Sequence, residues 1–219
     1  MVYVLGVTGG ICSGKSTVTK TLESYGAKVI DADKLGHEAY VIDTPCYTSL
    51  VAHFGSSIVN SDDRQIDRRT LGSIVFSDSS KMQELQAIVW PEIKSLIGKY
   101  IAKYTAEEGE DLVMVIEAAV MIEANWQDMC TKLWVVTVNP ELAVSRIKRR
   151  NNLSEEEALK RVNAQISNEE RIQHADVVVK NEVDDDKSKG GDQFKDYITS
   201  IMLCDPILKA LVDSNVVRP

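Results

Sequence analysis

A glycine-rich segment near the start of the chain narrows the possible folds more than any other part of the sequence. It reads GGICSGKS from Gly9 to Ser16, and it follows an apolar run at residues 2–7 and precedes a helix-compatible stretch at residues 17–25. The pattern G-x-x-x-x-G-K-[ST], placed between a strand and a helix, is typical of a phosphate-binding P-loop. An ordinary glycine-rich turn is the alternative, but such a turn does not require this order of elements.

Each residue type in this segment has a physical reason to be there. Gly9 and Gly14 allow backbone conformations that are closed to residues with a Cβ atom, so successive N–H groups can face phosphate oxygens. The loop opens onto a helix N-terminus, whose partial positive charge favours an anion. Lys15 can reach the β- and γ-phosphates of a nucleotide, and the Ser16 hydroxyl suits an octahedral Mg²⁺. The residues expected to contact the nucleotide are Gly9, Gly10, Ile11, Cys12, Ser13, Gly14, Lys15, Ser16 and Thr17.

Five short apolar runs, rich in β-branched residues, predict the strands of one sheet. They are continuously apolar rather than alternating, as expected of strands that are covered on both faces. Helical patterns lie between them, and this alternation favours a parallel sheet with right-handed crossovers. The predicted fold class is therefore α/β, a P-loop NTPase-type parallel five-stranded sheet flanked by helices. The five runs are residues 2–7, 28–30, 112–116, 133–138 and 177–179.

The spacing of the runs is uneven. About eighty residues separate the second run from the third, far more than a crossover between parallel strands requires. Three helical patterns, at residues 47–54, 69–75 and 81–104, predict a helical insertion there. Two further helices are predicted at residues 140–149 and 154–170, where the Asn139-Pro140 pair and a Ser154/Glu157 capping box mark the starts. Residues 184–192 have the composition of a solvated linker, and an amphipathic helical pattern follows them.

Composition and charge exclude several classes of protein. The hydrophobic and charged fractions, 44% and 26%, are those of a globular protein. The net charge of −8 argues against a nucleic-acid surface, because phosphate backbones are bound by clustered Lys and Arg. No apolar stretch approaches the roughly 20 residues of a membrane span, so we expect no membrane partner and a cytoplasmic location. The four cysteines and three histidines show no metal-ligand spacing.

Three carboxylates follow predicted strands and are candidates for chemistry. Asp31 and Asp33 come directly after the second run, at the edge of the sheet where open α/β folds bind ligands. Asp33 is the preferred base for an attacking hydroxyl, although an acidic pair at a turn can also be a helix cap. Glu117 ends the third run, where P-loop enzymes hold Mg²⁺ through water. Glu123 is either part of the same site or a surface charge.

Basic residues cluster between the fourth and fifth runs. Arg146, Arg149 and Arg150 are spaced so that two of them can share a helical face, and Arg161 and Gln165 lie one predicted turn apart. Guanidinium groups suit the charge that is spread over a transferring phosphoryl group. The segment could form a mobile cover over the phosphates, or it could be a solvated basic face.

Taken together, these segments closely resemble those of dephospho-coenzyme A kinases over about residues 2–185. The P-loop alone is shared by many unrelated NTPases, but the ordered set is specific. Trp90-Pro91 and Ala118-Ala119 are similar to the kinase portion of eukaryotic coenzyme A synthase. The segments that carry the resemblance are VLGVTGGICSGKS, DADKLGHEAY from Asp31, IDRRTLGSIVF from Ile66, IVWPEI from Ile88, EAAVMIEANW from Glu117, NNLSEEEALKRVNAQ from Asn151 and HADVVVKN ending at Asn181.

The resemblance implies a reaction and its participants. The γ-phosphate of ATP would be transferred to the ribose 3′-hydroxyl of dephospho-coenzyme A, with Mg²⁺. A single domain over residues 1–219 would contain a nucleotide-binding core (1–34, 110–140 and 172–219), a helical acceptor-binding insertion (35–109) and a small helical lid (141–171). We expect a monomer or a weak homo-oligomer that acts as a stand-alone kinase.

The resemblance also implies roles for individual residues. Asp33 would be the base, and Asn181 would lie near the adenine of ATP. Ser16 would contact the metal of the nucleotide, and Glu117 would contact it through water or face the acceptor. The other catalytic residues would be Lys15, Arg146 and Arg150. The acceptor would be bound by Asp33, His37, Arg68, Leu71, Glu117 and Arg161.

Some positions depart from the commonest bacterial pattern of this family. Glu117-Ala118-Ala119 stands where Asp-Val-Pro is usual, which keeps the carboxylate but lengthens its arm by one carbon. Ile74 stands where many relatives carry Arg, and Asn151-Asn152 replaces an Asp-Gly turn that Asn can also form. Two alternative functions stay open from the residues alone, a nucleoside-monophosphate-type kinase with another acceptor and a nucleotide-dependent switch.

Overall fold

The computed structural model describes residues 2–183 and 190–216. The chain divides into two compact units, one made of Met1–Ile30 with Tyr104–Pro219 and the other of Asp31–Lys103. Most of the predicted linker, residues 184–189, lies outside the described residues. No helix among the described residues is both long enough and apolar enough to cross a membrane.

The first unit is built on a five-stranded parallel sheet, which confirms the predicted fold class. The strand order is β2-β3-β1-β4-β5, so the first strand lies in the middle with its later neighbours on either side. Each strand covers its predicted run, with bounds that shift by one or two residues. The strands are β1 (Tyr3–Gly9), β2 (Lys28–Asp31), β3 (Val113–Glu117), β4 (Lys132–Thr137) and β5 (Val177–Lys180).

The central strands are buried along their whole length, as their unbroken apolar sequences predict. All seven residues of β1 and all five of β3 are buried. Strand β1 pairs with β3 in a register that sets Val7 opposite Glu117, and with β4 in a register that sets Gly9 opposite Val136. The end of β1, where the P-loop begins, therefore lies between the ends of β3 and β4.

The described residues form ten α-helices. Helix α5 contributes to both units, and the three helices before it belong to the second unit. The helices are α1 (Lys15–Ser24), α2 (Ala32–Ala39), α3 (Pro45–Phe54), α4 (Arg68–Phe76), α5 (Ser79–Glu108), α6 (Pro140–Asn151), α7 (Glu155–Asn163), α8 (Asn168–Ile172), α9 (Gly190–Met202) and α10 (Pro206–Val216).

Local capping explains most of these boundaries. The Asn139 side chain accepts a hydrogen bond from Glu141 N at the start of α6, and Ser154 and Glu157 form the predicted capping box of α7. Asn152 adopts a left-handed conformation (φ 51°) as the C-cap of α6, which confirms that Asn supports this turn.

The prediction of one helix over residues 154–170 was wrong. The structure has two helices here, α7 and α8, separated by residues 164–167. The Ser167 side chain accepts a hydrogen bond from Glu170 N and so starts a new helix. A serine that caps locally competes with the continuing helical ladder, and an apolar periodicity does not register that competition.

Apolar packing of helices against the sheet stabilises the first unit. Helices α1, α9 and α10 cover one face of the sheet with a cluster that includes fully buried Leu22, Ile198 and Leu208. The aliphatic side chains of β1, β3 and β4 complete this cluster. Burial on this scale is the main stabilising term, at about 25 cal/mol per Å² of apolar area.

The second unit is helical, as the insertion was predicted to be. Helices α2, α3 and α4 precede the long α5, which carries Pro91 within its span. Buried residues from each helix, among them Leu35, Leu50, Val75 and Ile97, form its interior. The short strand-like bridge between Val59 and Ile66 closes a turn between α3 and α4.

Candidate active site

The backbone of the P-loop has the conformation that its glycines predicted. Gly14 is the N-cap of α1 with φ 97°, and a Cβ atom there would collide with the amide nitrogen of Asn181. A Cβ atom at Gly9 would collide with the Val136 carbonyl oxygen. Glycine is therefore required at both ends of the loop. Gly14 needs it because of its positive φ and the nearby Asn181 side chain, and Gly9 needs it because β4 approaches closely.

Lys15 is folded back over the loop. Its Nζ donates to the carbonyl oxygen of Gly9 at 2.9 Å and to that of Gly10 at 3.4 Å. These contacts hold a flexible cation above the segment whose N–H groups form the cradle. The same ammonium group can exchange carbonyl oxygens for phosphate oxygens without a change in the backbone.

Glu117 is joined to the first turn of α1 by two hydrogen bonds. Ser16 Oγ donates to Glu117 Oε1 at 2.9 Å, and Thr19 Oγ1 donates to Glu117 Oε2 at 2.7 Å. The Glu117 residue is only 8% exposed, so these hydroxyls stabilise a carboxylate that has lost most of its water. The Glu117 carboxylate therefore contacts the hydroxyl of Ser16, the residue that follows the P-loop lysine in the sequence.

Thr19 is a site residue that the sequence reading missed. Its position three residues after Ser16 places it on the same face of α1 as Ser16. Nothing in the sequence distinguishes it from Thr17 or Thr21, because the pairing of β1 with β3 decides which threonine meets Glu117.

Arg146 and Asn181 secure the far side of the loop. Arg146 is 7% exposed, and its guanidinium donates to the carbonyl oxygens of Cys12 at 3.1 Å and Val183 at 2.6 Å. It also donates to Asn181 Oδ1 at 3.3 Å, while Asn181 Nδ2 donates to the Ser13 carbonyl at 2.8 Å. Arg146, predicted to serve the phosphates, therefore contacts the backbone of the P-loop in this structure.

Gln165 contacts the P-loop from the α7–α8 connection. The Ile11 N–H donates to Gln165 Oε1 at 2.7 Å. Because α7 ends at Asn163, Gln165 lies beyond the helix and not one turn after Arg161 as its spacing predicted. The Gln165 side-chain oxygen thus accepts a hydrogen bond from a loop N–H group of the kind that donates to phosphate oxygens in a P-loop.

Other residues predicted for the first unit are close to the loop in sequence or exposed on the surface. The Thr17 amide donates to Gly14 O at 3.0 Å in the first turn of α1. Cys12 adopts a left-handed conformation with φ 58°. Arg150 and Arg161 are both exposed, and Arg150 Nε donates to Asn151 Oδ1 at 3.2 Å.

The predicted acceptor residues belong to the second unit, apart from Glu117 and Arg161. Asp31 is the N-cap of α2, where its side chain accepts from Lys34 N, and Asp33 lies exposed in the first turn. His37 Nδ1 and Arg68 Nη1 are 3.4 Å apart. Leu71 is 5% exposed and packs in the interior of this unit. The alternative interpretation of the acidic pair as a helix cap is therefore confirmed for Asp31.

The donor set of the first unit fits a nucleotide phosphate and Mg²⁺. The Ser13 hydroxyl is buried in the loop and has no hydrogen-bond partner in the structure. Ser16 and Glu117 offer the hard oxygen atoms that Mg²⁺ prefers. Over residues 2–183 and 190–216, no group of three His, Cys, Asp or Glu side chains is arranged to hold a metal. An ion that takes most of its ligands from phosphates and water suits such a site.

Comparison with known sequences shows the family of the chain. A family model described as dephospho-CoA kinase matches residues 3–186. The chain is also 43% identical over 178 residues to the dephospho-CoA kinase of Geobacter sulfurreducens. That alignment covers 81% of this chain and 89% of the relative.

Two solved structures are similar to the whole fold. A dephospho-CoA kinase from Campylobacter jejuni superimposes with a TM-score of 0.66 at 26% identity, over 92% of this chain and 96% of that one. The Thermus thermophilus protein TT1252 gives a TM-score of 0.73 at 29% identity, over 93% and 97% of the two chains.

Proposed function

The chain belongs to the dephospho-CoA kinase family, and we propose that its P-loop site transfers the γ-phosphate of ATP to the 3′-hydroxyl of dephospho-CoA. It is an enzyme, and its activity is that of the family, phosphorylation of dephospho-CoA. The acceptor atom, the cofactors and the roles of individual residues are the further content of the proposal.

The observation that carries the proposal is the junction of the P-loop with Glu117. Lys15, Ser16 and Glu117 lie together at the start of α1, held by the hydrogen bond from Ser16 to Glu117 and by the contacts of Lys15 with the loop. Phosphoryl transfer depends on positioning and charge neutralisation, and this junction supplies a cation and two hard oxygen ligands.

Each residue of the junction has a role in holding the donor nucleotide. The loop N–H groups and Lys15 bind the phosphate chain and neutralise its charge. Ser16 and Glu117 would hold Mg²⁺, since the Ser16 hydroxyl and the Glu117 carboxylate lie together, hydrogen-bonded at 2.9 Å. The chemistry that a bound Mg²⁺ would supply here is neutralisation of negative charge on phosphate oxygens.

Asp33 is the proposed base. It stands in the first turn of α2, immediately after a residue that is buried, and its carboxylate is on the exposed side of that helix. As a base it would orient the 3′-hydroxyl and accept its proton as the new P–O bond forms. Arg68 and His37, close together in the same unit, are suited to bind anionic groups of the acceptor.

Arginines of α6 and α7 have two different roles in this proposal. Arg150 and Arg161 are exposed and would cover the phosphates when the lid closes, which excludes water and limits hydrolysis. Arg146 acts mainly through the loop backbone and Asn181, and so keeps the nucleotide site in shape.

The proposal is tested by ATP consumption with Mg²⁺ and a panel of acceptors: dephospho-CoA, adenosine, AMP, CMP and none. We expect turnover with dephospho-CoA alone, and losses of several orders of magnitude in Lys15→Ala and in Asp33→Asn. Near-normal turnover of a folded Asp33→Asn variant would exclude Asp33 as the base. A better rate with AMP or CMP would show that the family assignment fails at the acceptor.

A further inference from the structure

Arg171 is a buried cation outside the set of residues proposed for the reaction. It lies in α8 and is only 2% exposed. Its Nη1 atom donates to the carbonyl oxygen of Ile166, while Nε and Nη2 are buried and have no hydrogen-bond partner among the described residues. Burial removes the hydration of the guanidinium and lowers the pKa of Arg171. The charged form therefore depends on an opposite charge within the protein.

Glu123 supplies that opposite charge from the segment after β3. Its Oε2 atom is buried and, like the two guanidinium nitrogens, has no hydrogen-bond partner among the described residues. Glu123 favours the ionised form of Arg171 more strongly than Glu170 does. Glu170 is exposed, so water screens its charge. Glu123, which the sequence left open as a site residue or a surface charge, is therefore the main compensating charge of a buried arginine.

Arg171 also connects α8 to the segment that contacts the P-loop. The Ile166 carbonyl that it binds belongs to the α7–α8 connection, and in the same connection Gln165 Oε1 accepts from Ile11 N–H at 2.7 Å. A Cβ atom added at Gly10 would lie 3.5 Å from Arg171 Nη1, so the guanidinium packs close to the loop backbone. A displacement of Arg171 would therefore reach the P-loop through the connection.

Helix α8 is tied to strands on both sides of β1. Asn168 Nδ2 donates to the Val138 carbonyl oxygen at 2.9 Å, directly after β4. Arg171 interacts by charge with Glu123, which follows β3. Strand β1 pairs with both β3 and β4, and the P-loop begins at its end. The two ties of α8 therefore flank the strand from which the P-loop starts.

We propose that Arg171 and Glu123 are positioning residues for the reaction, a buried charge pair that fixes α8 and the α7–α8 connection and so holds the P-loop in its nucleotide-binding conformation. Neither side chain contacts a substrate in this role. Arg171 acts through the Ile166 carbonyl, and Glu123 acts through Arg171. The inference rests on the proposed function, because it assumes that the P-loop binds the nucleotide of that reaction.

A positioning role of this kind affects ATP binding more than the chemical step. The hydrogen bonds of Lys15 and Glu117 involve neither Arg171 nor Glu123. Loss of the pair should therefore raise KM for ATP by about tenfold or more and leave kcat within about threefold. KM for dephospho-CoA should stay within about twofold, because the residues proposed for the acceptor belong largely to the second unit.

A double-mutant cycle on the full chain tests the pairing. Arg171→Met and Glu123→Gln each remove one charge and leave the other buried without it, so each should raise KM for ATP. The double variant should be no worse than the poorer single variant, because one pair is lost in all three. Independent effects, which would multiply to about a hundredfold in the double variant, would overturn the proposal. Glu170→Gln, which removes the exposed charge, is the matched control and should leave KM for ATP unchanged.

A merely structural role makes a different prediction. Variants that are only less stable contain less folded enzyme, which lowers kcat and leaves KM for ATP at its wild-type value, and that result would overturn the proposal. Arg171→Lys keeps the charge without the planar fork, so its KM for ATP should fall between those of wild type and Arg171→Met. Where Arg171→Met does not fold, an unchanged KM for ATP in both Glu123→Gln and Arg171→Lys has the same meaning.

Hydrogen exchange of the ligand-free chain separates this inference from the proposed function. Amides of residues 164–172 should exchange several-fold faster in Arg171→Met and Glu123→Gln than in wild type and Glu170→Gln, as measured by mass spectrometry. Unchanged exchange in both variants would contradict the charge pair. This readout requires no nucleotide, so failure of the wild type to phosphorylate dephospho-CoA would count against the proposed function alone.

Discussion

Two hydroxyls of α1 share the carboxylate of Glu117, and this single residue connects strand β3 with the P-loop. Ser16 donates to one oxygen and Thr19 to the other, so these two hydrogen bonds fix the orientation of the carboxylate. In the proposed site Ser16 is the partner that would bind a metal, because the residue is exposed. Thr19, 3% exposed, is the partner that stays.

Thr19→Val tests this division of roles. The substitution keeps the shape of the side chain but removes the donor to Glu117 Oε2, which leaves a buried carboxylate oxygen without that partner. We expect a loss of about 1–2 kcal/mol in the free energy of unfolding, measured with urea. We also expect a higher Mg²⁺ concentration for half-maximal activity, because Glu117 is no longer fixed.

Thr21→Val is the matched control. Thr21 is buried on the same helix, but its hydroxyl donates to the Thr17 carbonyl and not to Glu117. Its Mg²⁺ dependence should equal that of the wild type. An equal shift of the Mg²⁺ dependence in both variants would mean that the substitutions act by disturbing helix α1 and not through the Glu117 carboxylate.

At the level of single residues the sequence predicted those parts of the site that depend on the loop itself. Gly14 must be glycine wherever the loop folds, and Lys15 and Ser16 follow it along the chain. The contact of Thr19 with Glu117 could not be predicted, because it depends on the register between β1 and β3, which a short segment of sequence does not show.

At the level of elements, the connection between α7 and α8 joins the predicted lid to the loop. Ser167 starts α8 by capping Glu170 N, and the break that results lets Gln165 accept from Ile11 N–H. Helical periodicity predicted α7 and α8 as one helix. The break between them depends on capping by Ser167 and on the contact between Gln165 and Ile11, which the periodicity does not show. The five strands were predicted well because unbroken β-branched runs need burial on both faces.

Gln165→Ala should loosen this connection. Without the amide oxygen, residues 164–172 lose their tie to the P-loop, and their amide hydrogen exchange should speed up by several-fold, as measured by mass spectrometry. Gln173→Ala, an exposed glutamine at the end of α8, is the control and should leave exchange unchanged. Equal exchange in wild type and Gln165→Ala would show that Gln165 does not hold the segment.

Asp205 ties α10 to the sheet. Its carboxylate accepts from Tyr3 Oη at 3.0 Å, from Lys132 Nζ at 2.6 Å and from the Ile207 and Leu208 amides at the start of α10. Burial raises the pKa of Asp205, but the hydrogen bonds from Lys132, Leu208, Tyr3 and Ile207 outweigh burial, so the pKa lies below its usual value.

The lowered pKa of Asp205 gives a pH dependence of stability. The contribution of the Asp205 carboxylate to the free energy of unfolding is complete above the unfolded-state pKa of about 4. It is lost as the pH falls through the lower folded-state pKa. Asp205→Asn should therefore reduce the free energy of unfolding by about 2 kcal/mol at neutral pH, and the difference from wild type should shrink below about pH 4. Urea unfolding at both pH values measures it.

Asp213, exposed on the same helix, provides the control. Asp213→Asn should have little effect at either pH. A difference between wild type and Asp205→Asn that stays constant from neutral to acid pH would contradict the role of the ionised carboxylate.

At the level of the whole molecule, the residues proposed for the nucleotide and those proposed for the acceptor belong largely to different units. In the proposed mechanism the first unit, with the loop, Glu117, Asn181 and the arginines, would bind the nucleotide, and the second unit, with Asp33, His37 and Arg68, would bind the acceptor. Because the net charge is −8, the proposed anionic substrates would be held by these local positive groups and not by the average field of the protein.

The transfer of phosphate itself tests the central claim most directly. The chain is incubated with Mg²⁺, dephospho-CoA and ATP that carries a label in its γ-phosphate, and the product is analysed by mass and by fragmentation. We predict that the label appears on the ribose 3′-oxygen of dephospho-CoA, and that Lys15→Ala abolishes its transfer. Label released only as free phosphate, or found on another acceptor or another hydroxyl, would contradict the account.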